Sequence, residues 1–285
     1  MSQSSRLLLI RGLGHSGTTI LDLALGAHPK VVGVGEATRI LARPKPGDEH
    51  RGPAMLRGAH RYERRCTCGA IAAECPVWGP MLRWLDVHDD QALPIKMQRL
   101  VQIVSRLDGP TPELIVDSYQ DDFVLPLDNQ PDLNRLVLHL TRDVRSWVHS
   151  RSRSDRDRGA RFAEWRPLLR WARTNSRHET LLNRSIYPLF RLGYEELALD
   201  PRRQLERMCE WLKLDFSEAM LRPGRCSSSH ILSGNRVRFD PERTGQIVYD
   251  GTWLSRPSGL AQLALMMPWL AAMNRRLVYS GQFKR

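Results

Sequence analysis

The sequence contains no apolar run long enough to cross a membrane as a helix. A membrane-spanning helix needs about 20 consecutive, mostly apolar residues. The best candidate, residues 260–273, is interrupted by Gln262 and Pro268 and is followed by Arg275 and Arg276. The amino terminus, MSQSSRLLLIRGLG, has too short an apolar core for a secretion signal. We therefore expect a soluble, cytoplasmic protein in which residues 260–273 form a packed C-terminal helix.

Cysteine is also infrequent, with five residues in a chain of 285. In a cytosolic protein this argues against a disulfide framework. Three of the five, Cys66, Cys68 and Cys75, nevertheless cluster in the sequence. A structural zinc site needs four ligands, and the spacing does not dictate the fourth, for which His60 and Cys226 are candidates. We favour a compact reduced loop and expect no metal.

Lysine is scarce, so the basic excess of the chain is mostly arginine. With 43 basic and 31 acidic residues, the formal net charge is +12. Such a charge favours polyanionic partners, including nucleotide phosphates, acidic substrates, nucleic acid and membrane surfaces. Arginine suits bidentate recognition of phosphate or sulfate. Because the arginines are dispersed and no nucleic-acid-binding module is recognisable, we expect no nucleic-acid partner.

Short apolar runs alternate with helical segments through most of the chain. Strand-like segments cover residues 7–10, 31–34, 114–116, 136–140 and 187–193, and helical spacing covers residues 18–27, 76–87, 93–107, 144–153, 162–183 and 201–212. This alternation predicts an α/β fold with a mainly parallel sheet flanked by helices. We expect a single domain over residues 1–285 with a loop and helical insertion at about 43–110.

A glycine-rich loop, RGLGHSGTT at residues 11–19, follows the first predicted strand and precedes the first helix. Its glycines Gly12, Gly14 and Gly17 satisfy the dinucleotide fingerprint G-x-G-x-x-G. Glu36 stands about where an acid would bind the ribose. The helix between the loop and this acid is short, however, and this disfavours a dinucleotide site.

The same loop also fits a nucleoside-triphosphate P-loop. Gly12 and Gly17 frame the pattern G-x-x-x-x-G, but Thr18 follows where such loops have a lysine for the β- and γ-phosphates. Backbone N–H groups and the helix N-terminus can still hold a phosphate. Without this lysine the loop is poorly equipped for magnesium-assisted transfer of a γ-phosphoryl group. Asp117 is the one obvious acid at a strand end that could bind the magnesium ion. A P-loop kinase or NTPase-like phosphotransferase is the alternative function.

Two separate motifs favour another donor. The ending S-G-T-T at residues 16–19 resembles the 5′-phosphosulfate loop of sulfotransferases that use 3′-phosphoadenosine 5′-phosphosulfate (PAPS). His15 stands where that family has lysine or arginine. Within residues 138–150, Arg142 at a strand end and Ser150 eight residues later resemble the family's 3′-phosphate motif. The resemblance implies the sulfotransferase fold, a P-loop-like and mainly parallel sheet.

The resemblance extends over nearly the whole chain. Residues 193–197, GYEEL, and residues 230–238 are similar to later segments of the family, and the pattern of cysteines at residues 66–75 is similar to bacterial members. It implies a protein that binds PAPS without a metal. The implied donor-binding residues are Gly14, His15, Ser16, Gly17, Thr18, Thr19, Arg142, Ser150, Asn235, Arg236 and Arg238.

Sulfuryl transfer moves SO₃ from a phosphate leaving group to a nucleophile, and negative charge grows on the bridging oxygen. We assign the neutralisation of this oxygen to His15, as a cation or through one ring N–H. Because an imidazole replaces a permanent cation, this stabilisation is expected to depend on pH near neutrality. The alternative is that His15 only fills space or forms a hydrogen bond within the loop.

The proton of an acceptor hydroxyl requires a base. Glu36 lies in GEATR, residues 35–39, which looks like the G-E-x-T-R of tyrosylprotein sulfotransferases, and we assign the base to it. A plain salt bridge between Glu36 and Arg39 is the alternative, and His28 and His60 are fallback bases. The acceptor stays open among a small phenol or alcohol, a glycan and a peptide tyrosine.

One segment departs from the family pattern. Many bacterial relatives have D-S-S-K after the middle strand, whereas this chain has DSYQ at residues 117–120, followed by Asp121 and Asp122. A cation is lost and two acids are gained. The segment either edges the acceptor pocket, where it selects a cationic or neutral acceptor, or forms a solvated turn.

Overall fold

The computed structural model describes residues 5–42, 61–119, 134–157, 163–255 and 262–280. Its five strands form one sheet in the order β2-β3-β1-β4-β5, and every neighbouring pair is parallel. The strands are β1 (Arg6–Arg11), β2 (Val31–Gly33), β3 (Leu114–Asp117), β4 (Arg135–Thr141) and β5 (Leu189–Gly193). The predicted α/β class is confirmed.

Helices connect the strands and cover both faces of the sheet. In chain order they are α1 (Thr18–Gly26), α2 (Ala37–Leu41), α3 (Trp78–His88), α4 (Leu93–Val104), α5 (Val144–Asp157), α6 (Trp165–Asn183), α7 (Tyr194–Leu199), α8 (Pro201–Leu212), α9 (Pro223–Cys226), α10 (Pro241–Thr244), α11 (Thr252–Ser255) and α12 (Pro268–Val278). Among the described residues, none of these helices combines the length and apolar character that crossing a bilayer requires.

The C-terminal helix begins later than predicted. The prediction was one helix over residues 260–273, but a 3₁₀ turn at Ala264–Met266 precedes α12. Pro268 occupies the first turn of α12, where its missing N–H costs no hydrogen bond and its ring favours helical φ. The proline therefore marks the start of the helix rather than an interruption.

The central strand β1 supplies the core on both sides of the sheet. Leu7 and Leu9 pack into one apolar cluster, whereas Leu8 and Ile10 pack into another on the opposite face. Successive side chains of a strand point to opposite faces, so a strand buried on both sides is a continuous apolar run. This explains why LLLI shows no alternation of polar and apolar residues.

The segment between β2 and β3 covers the Leu7 and Leu9 face. Helices α3 and α4 contribute Trp78, Met81 and Leu100 to that cluster. Residues 43–60, the first part of the predicted insertion, lie outside the described residues. The single-domain division remains a prediction.

The strand order determines where a ligand can bind. Strand β3 lies between β1 and β2, whereas the dinucleotide-binding fold places its first two strands side by side. The dinucleotide interpretation is therefore wrong at the level of topology. The connection after β1 leads to β2 at one edge of the sheet, whereas the connection after β4 leads to β5 at the opposite edge. Ligands of such sheets bind at this switch point, outside the carboxyl ends of the strands.

Candidate functional site

The loop from Gly12 to Gly17 lies at the carboxyl end of β1 and leads into α1. Gly17 precedes the helix with φ of +90°, a conformation that side chains disfavour. A Cβ on Gly17 would overlap the ring of Tyr194, and a Cβ on Gly12 would overlap the carbonyl oxygen of Leu140. Both glycines are therefore needed for this loop to approach β4 and the start of α7.

The segment after β4 holds the glycine loop through three polar contacts. Trp147 Nε1 donates to Gly14 O at 2.7 Å, and Arg142 Nη1 donates to His15 O at 3.0 Å. Ser150 Oγ lies 3.3 Å from His15 Nδ1. The structure thus brings together His15, Arg142 and Ser150, which the sequence motifs predicted to share a site.

Arg142 is buried and held in one orientation. Its Nε donates to Ser146 Oγ at 2.8 Å and its Nη2 donates to Asp250 Oδ2 at 2.7 Å. The guanidinium carbon lies 5.0 Å from the centre of the Tyr194 ring. With the bond to His15 O, these contacts use three of the five N–H groups of the side chain.

Residues 193–197 contact the backbone next to Arg142 and support its position. Glu195 Oε2 accepts a hydrogen bond from the backbone N–H of Asp143 at 2.8 Å, directly after Arg142. Burial raises the pKa of Glu195 to about 7, and the neighbouring Asp143 carboxylate adds to the shift. A Cβ on Gly193 would overlap the backbone oxygen of Val278. The GYEEL motif therefore has a packing role at the end of β4.

The imidazole of His15 lies in a positively charged environment. Desolvation lowers the pKa of His15 below its usual 6.5, and the charges of Arg151, Arg142 and Arg170 lower it further. Without a bound anion the ring is therefore mostly neutral at pH 7. A ligand with negative charge at this loop would reverse part of the effect and favour the imidazolium.

Glu36 lies immediately before α2 and is buried, with 6% of its surface exposed. Ser233 Oγ donates to its Oε2 at 3.1 Å, and Arg39 Nη1 donates to the same atom at 2.9 Å. Its backbone N–H donates to Ser233 O at 3.0 Å. The salt bridge with Arg39 is thus present, while among the described residues no group donates to Oε1.

Arginines gather around Glu36. Desolvation lowers the pKa of Arg64, and the charges of Arg39 and Arg236 lower it further. Desolvation and then the charge of Arg64 lower the pKa of Arg238 as well, and the charge of Glu36 opposes this shift. Mutually repelling cations around one carboxylate form an environment that favours a further anion.

The loop that follows Ser233 is braced from within. Arg238 Nη1 donates to the carbonyl oxygens of Gly234 and Asn235, and its Nη2 donates to Leu232 O. The side chain of Asn235 accepts a hydrogen bond from Val237 N at 3.0 Å. A Cβ on Gly234 would lie 3.9 Å from Thr19 Oγ1. The loop with Asn235, Arg236 and Arg238 therefore starts beside α1.

The sequence matches no protein-family model and no curated protein. Among solved structures, the chain is similar to the sulfotransferase domain from the curacin biosynthetic pathway, with a TM-score of 0.50 and 15% identity over 99% of both chains. The chain has a sulfotransferase fold. It is also similar to the sulfotransferase domain of the Synechococcus PCC 7002 olefin synthase, with a TM-score of 0.44 and 20% identity over 100% of this chain and 98% of that one.

In this sulfotransferase fold, the acid at the end of β3 serves the structure. Asp117 Oδ1 accepts from Thr38 N at 3.1 Å, and its Oδ2 accepts from Thr38 Oγ1 at 2.6 Å and from Arg11 Nη2 at 3.3 Å. The adjacent Ser118 Oγ donates to Asp22 Oδ2 at 2.6 Å. Both Asp117 and Ser118 are buried, so the interpretation of a solvated turn is wrong for them.

Of the remaining candidates of the sequence analysis, His28 and Cys226 lie in the described residues. The ring of His28 is bonded through Nε2 to Asp215 O at 2.8 Å and through Nδ1 to Lys30 N at 3.1 Å, which makes it a structural side chain. His60 and residues 120–122 lie outside the described residues. Cys226 is exposed on α9.

Sequence reasoning did not select three residues that shape the site. Trp147 had a usable signal, because it lies three residues before Ser150 on α5, and residues at this spacing share a helix face. Ser233 lies within residues 230–238, which resemble a family segment, but nothing in the sequence linked it to Glu36. Arg64 had no signal, because its charge acts near Glu36 from a segment distant in the sequence.

Proposed function

We propose that the protein is a sulfotransferase that moves a sulfuryl group from PAPS to an acceptor hydroxyl. The observation that carries this proposal is the meeting of Arg142 and Ser150 with His15 of the glycine loop at the switch point of the sheet. Each motif alone is a weak signal. Two motifs that are far apart in sequence and in contact in space form a coherent anion site.

The proposed donor site uses backbone and side-chain groups and no metal. Gly17 caps α1 without a side-chain hydrogen bond, and the N–H groups at the start of a helix favour a phosphate. Together with Ser16, Thr18 and Thr19 this end of the helix would hold the 5′-phosphate. Arg142 and Ser150 would bind the 3′-phosphate, and Asn235, Arg236 and Arg238 would close over the nucleotide.

The proposed reaction is an in-line displacement. The acceptor oxygen forms a bond to sulfur while the bond from sulfur to the phosphate oxygen breaks. Glu36 Oε1 takes the acceptor proton, and its Oε2 is held by Ser233 and Arg39. His15 donates a hydrogen bond to the departing phosphate oxygen, with Ser150 fixing the ring through Nδ1. The products are the sulfated acceptor and 3′-phosphoadenosine 5′-phosphate.

The acceptor in this proposal is a small-molecule phenol or alcohol, a glycan, or a tyrosine of a peptide. The arginines around Glu36 favour an acceptor with an anionic group near the reacting hydroxyl. The alternative, a P-loop kinase or NTPase-like phosphotransferase, is less favoured because Asp117 is engaged by Arg11 and Thr38.

Calorimetry with two nucleotides tests the donor class. We expect 3′-phosphoadenosine 5′-phosphate to bind in the absence of magnesium, with EDTA making no difference, because arginine and helix N–H groups supply the positive charge. ATP with and without magnesium serves as the comparison. Binding of ATP that requires magnesium and matches or exceeds that of 3′-phosphoadenosine 5′-phosphate would favour the phosphotransferase and contradict the proposal.

Replacement of His15 tests its role at the leaving group. Because the pKa of His15 is lowered below 6.5, its cationic form is lost as pH rises through a value below 6.5. We expect the wild-type kcat/KM for the donor to gain from protonation of His15 as pH falls into this range. His15→Lys should remove this component, since lysine stays charged to about pH 10. His15→Ala should lower kcat by roughly 10²-fold.

The measurement is a kcat/KM profile from pH 5 to 8 for the three proteins. Titration of groups other than residue 15 affects all three proteins alike and cancels in the comparison. Lysine and histidine both carry a Cβ, so His15→Lys leaves the positive φ of this position equally strained. Three superimposable profiles would show that His15 takes no part in charge stabilisation.

A further inference from the structure

We propose that Cys66, Cys68, Cys75 and His230 form a structural zinc site. Their ligand atoms, three sulfurs and one ring nitrogen, all lie within 4.8 Å of one another. The site is separate from the glycine loop and does not depend on the proposed reaction. It also replaces the expectation from sequence spacing alone, which favoured a reduced loop without metal.

The separations fit a metal rather than a disulfide. Cys75 Sγ lies 3.7 Å from Cys66 Sγ and 3.3 Å from His230 Nδ1. In a tetrahedral site with zinc–sulfur bonds of about 2.3 Å and zinc–nitrogen bonds of about 2.0 Å, two sulfurs lie about 3.8 Å apart and a sulfur and a nitrogen about 3.5 Å apart. A disulfide would require sulfurs about 2.05 Å apart.

The cysteine segment is folded as a compact turn in which Cys66 and Cys75 are buried and Cys68 is exposed. Cys66 N donates to Ala70 O at 2.9 Å, and Gly69 N donates back to Cys66 O at 3.1 Å. Gly69 has φ of +92°, which permits the tight reversal. The backbone N–H of Trp78 lies 3.5 Å from Cys75 Sγ. Hydrogen bonds of this kind orient the side chains that coordinate a metal.

His230 is held in place from two sides. Thr67 Oγ1 donates to Ser229 O and accepts from Ile231 N at 2.8 Å. Its hydroxyl therefore hydrogen-bonds the residues immediately before and after His230. Trp78 Nε1 donates to His230 O at 2.6 Å. These contacts fix the backbone and leave the ring directed at Cys75. Nδ1 is the nitrogen available to a metal, and the ring proton then lies on Nε2.

The chemistry of the four groups favours zinc over magnesium and calcium. A closed set of three thiolates and one imidazole is typical of structural zinc, which prefers tetrahedral sulfur and nitrogen ligands. The four residues leave no open position for a substrate. Magnesium and calcium prefer oxygen ligands, and the group contains none.

A zinc ion here would tie the segment of Cys66–Cys75 to the chain just before Ser233. Ser233 supports Glu36 through two hydrogen bonds. The metal would therefore act on the candidate base indirectly, by holding its neighbour. In the reaction proposed above, zinc is a positioning element and touches neither donor nor acceptor.

Metal analysis of the full chain, purified under reducing conditions and without chelator, tests the proposal. We expect about one zinc per chain, and we expect cobalt(II) substitution to produce thiolate-to-cobalt absorption bands. Cys75→Ser and Cys68→Ser should each lower zinc affinity at least tenfold in a competition with a chromogenic chelator. Cys68 is exposed, so its substitution tests the site even where loss of the buried Cys75 prevents folding.

Two cysteines outside the group provide matched controls. Cys209→Ser replaces a buried thiol that packs against Met220, and Cys226→Ser replaces an exposed one. Both variants should keep the wild-type zinc content. Chelation should lower the melting temperature of the wild type and of these controls, with a smaller effect on Cys68→Ser.

Three results would overturn the proposal. The first is a chain without stoichiometric metal after expression in zinc-supplemented medium. The second is an intact mass lower by two hydrogens, which indicates a disulfide. The third is equal loss of zinc in the control and ligand variants. Each can be read without a sulfotransferase assay, so failure here leaves the proposed reaction untouched.

Discussion

Glu36→Gln is expected to lower turnover by about 10²- to 10⁴-fold while nucleotide binding stays within about twofold of the wild type. Glutamine keeps the shape and the contacts with Ser233 and Arg39 but cannot accept a proton from the acceptor. The carboxylate is buried with no described donor on Oε1, as a base that meets an acceptor hydroxyl requires. The measurement is single-turnover sulfate transfer beside calorimetric binding of 3′-phosphoadenosine 5′-phosphate.

Two further variants separate catalysis from structure. Glu113→Gln replaces a partly exposed carboxylate that pairs with Lys30 at 2.7 Å and should leave turnover unchanged. Arg39→Ala removes the salt bridge but leaves the carboxylate in place. If Arg39→Ala reproduced the full loss seen in Glu36→Gln, the salt bridge rather than the base would explain the effect. Near-normal turnover of Glu36→Gln with a hydroxyl acceptor would contradict the assignment directly.

Arg142→Ala is expected to weaken binding of 3′-phosphoadenosine 5′-phosphate by about 10²-fold, since hydrogen bonds between charged groups contribute about 1.5–3 kcal/mol each. The substitution removes a cation and also releases the buried end of β4, where the guanidinium bonds His15 O, Ser146 and Asp250. Adenosine 5′-phosphate lacks the 3′-phosphate, and its affinity should fall much less. The comparison of the two ligands isolates the contact to that phosphate.

One control variant removes an arginine elsewhere in the protein, and another keeps the positive charge at position 142. Arg276→Ala removes an arginine whose partner is Glu179, away from the glycine loop, and should not change the affinity of either nucleotide. Arg142→Lys retains the charge but loses the planar fork, so it should restore only part of the affinity. An equal loss for both nucleotides in Arg142→Ala would indicate that Arg142 only supports the loop. A change below twofold would exclude it from the donor site.

Asp250 forms a salt bridge with Arg142 at the proposed donor site. Its carboxylate accepts a hydrogen bond from Arg142 Nη2 at 2.7 Å, and in the proposed donor site a phosphate oxygen would compete for that donor. The negative charge therefore opposes phosphate binding and at the same time orients the arginine. If the proposed nucleotide binds here, two N–H groups of Arg142 remain for a phosphate while Asp250 keeps its hydrogen bond with Nη2.

The pattern of the sequence was sufficient to predict the class of the sheet and the position of the glycine loop. Both depend on local features. The apolar runs of β1 and β4 indicate strands that are buried on both faces of the sheet. The glycines before Thr18 indicate a tight turn that leads into a helix. The meeting of Arg142 and Ser150 with His15 was anticipated only through the resemblance to sulfotransferases, which implied one donor site for all three residues.

Only the tertiary structure decided which distant segments meet. It placed β3 between β1 and β2, which excluded the dinucleotide fold, and it buried Asp117 against Arg11 and Thr38. It also placed His230, rather than either of the candidates His60 and Cys226, in the group with the clustered cysteines. Local spacing encodes helices, strands and turns, because these depend on neighbouring residues. Contacts across more than a hundred residues depend on how the helices pack on the sheet, and no short motif records that packing.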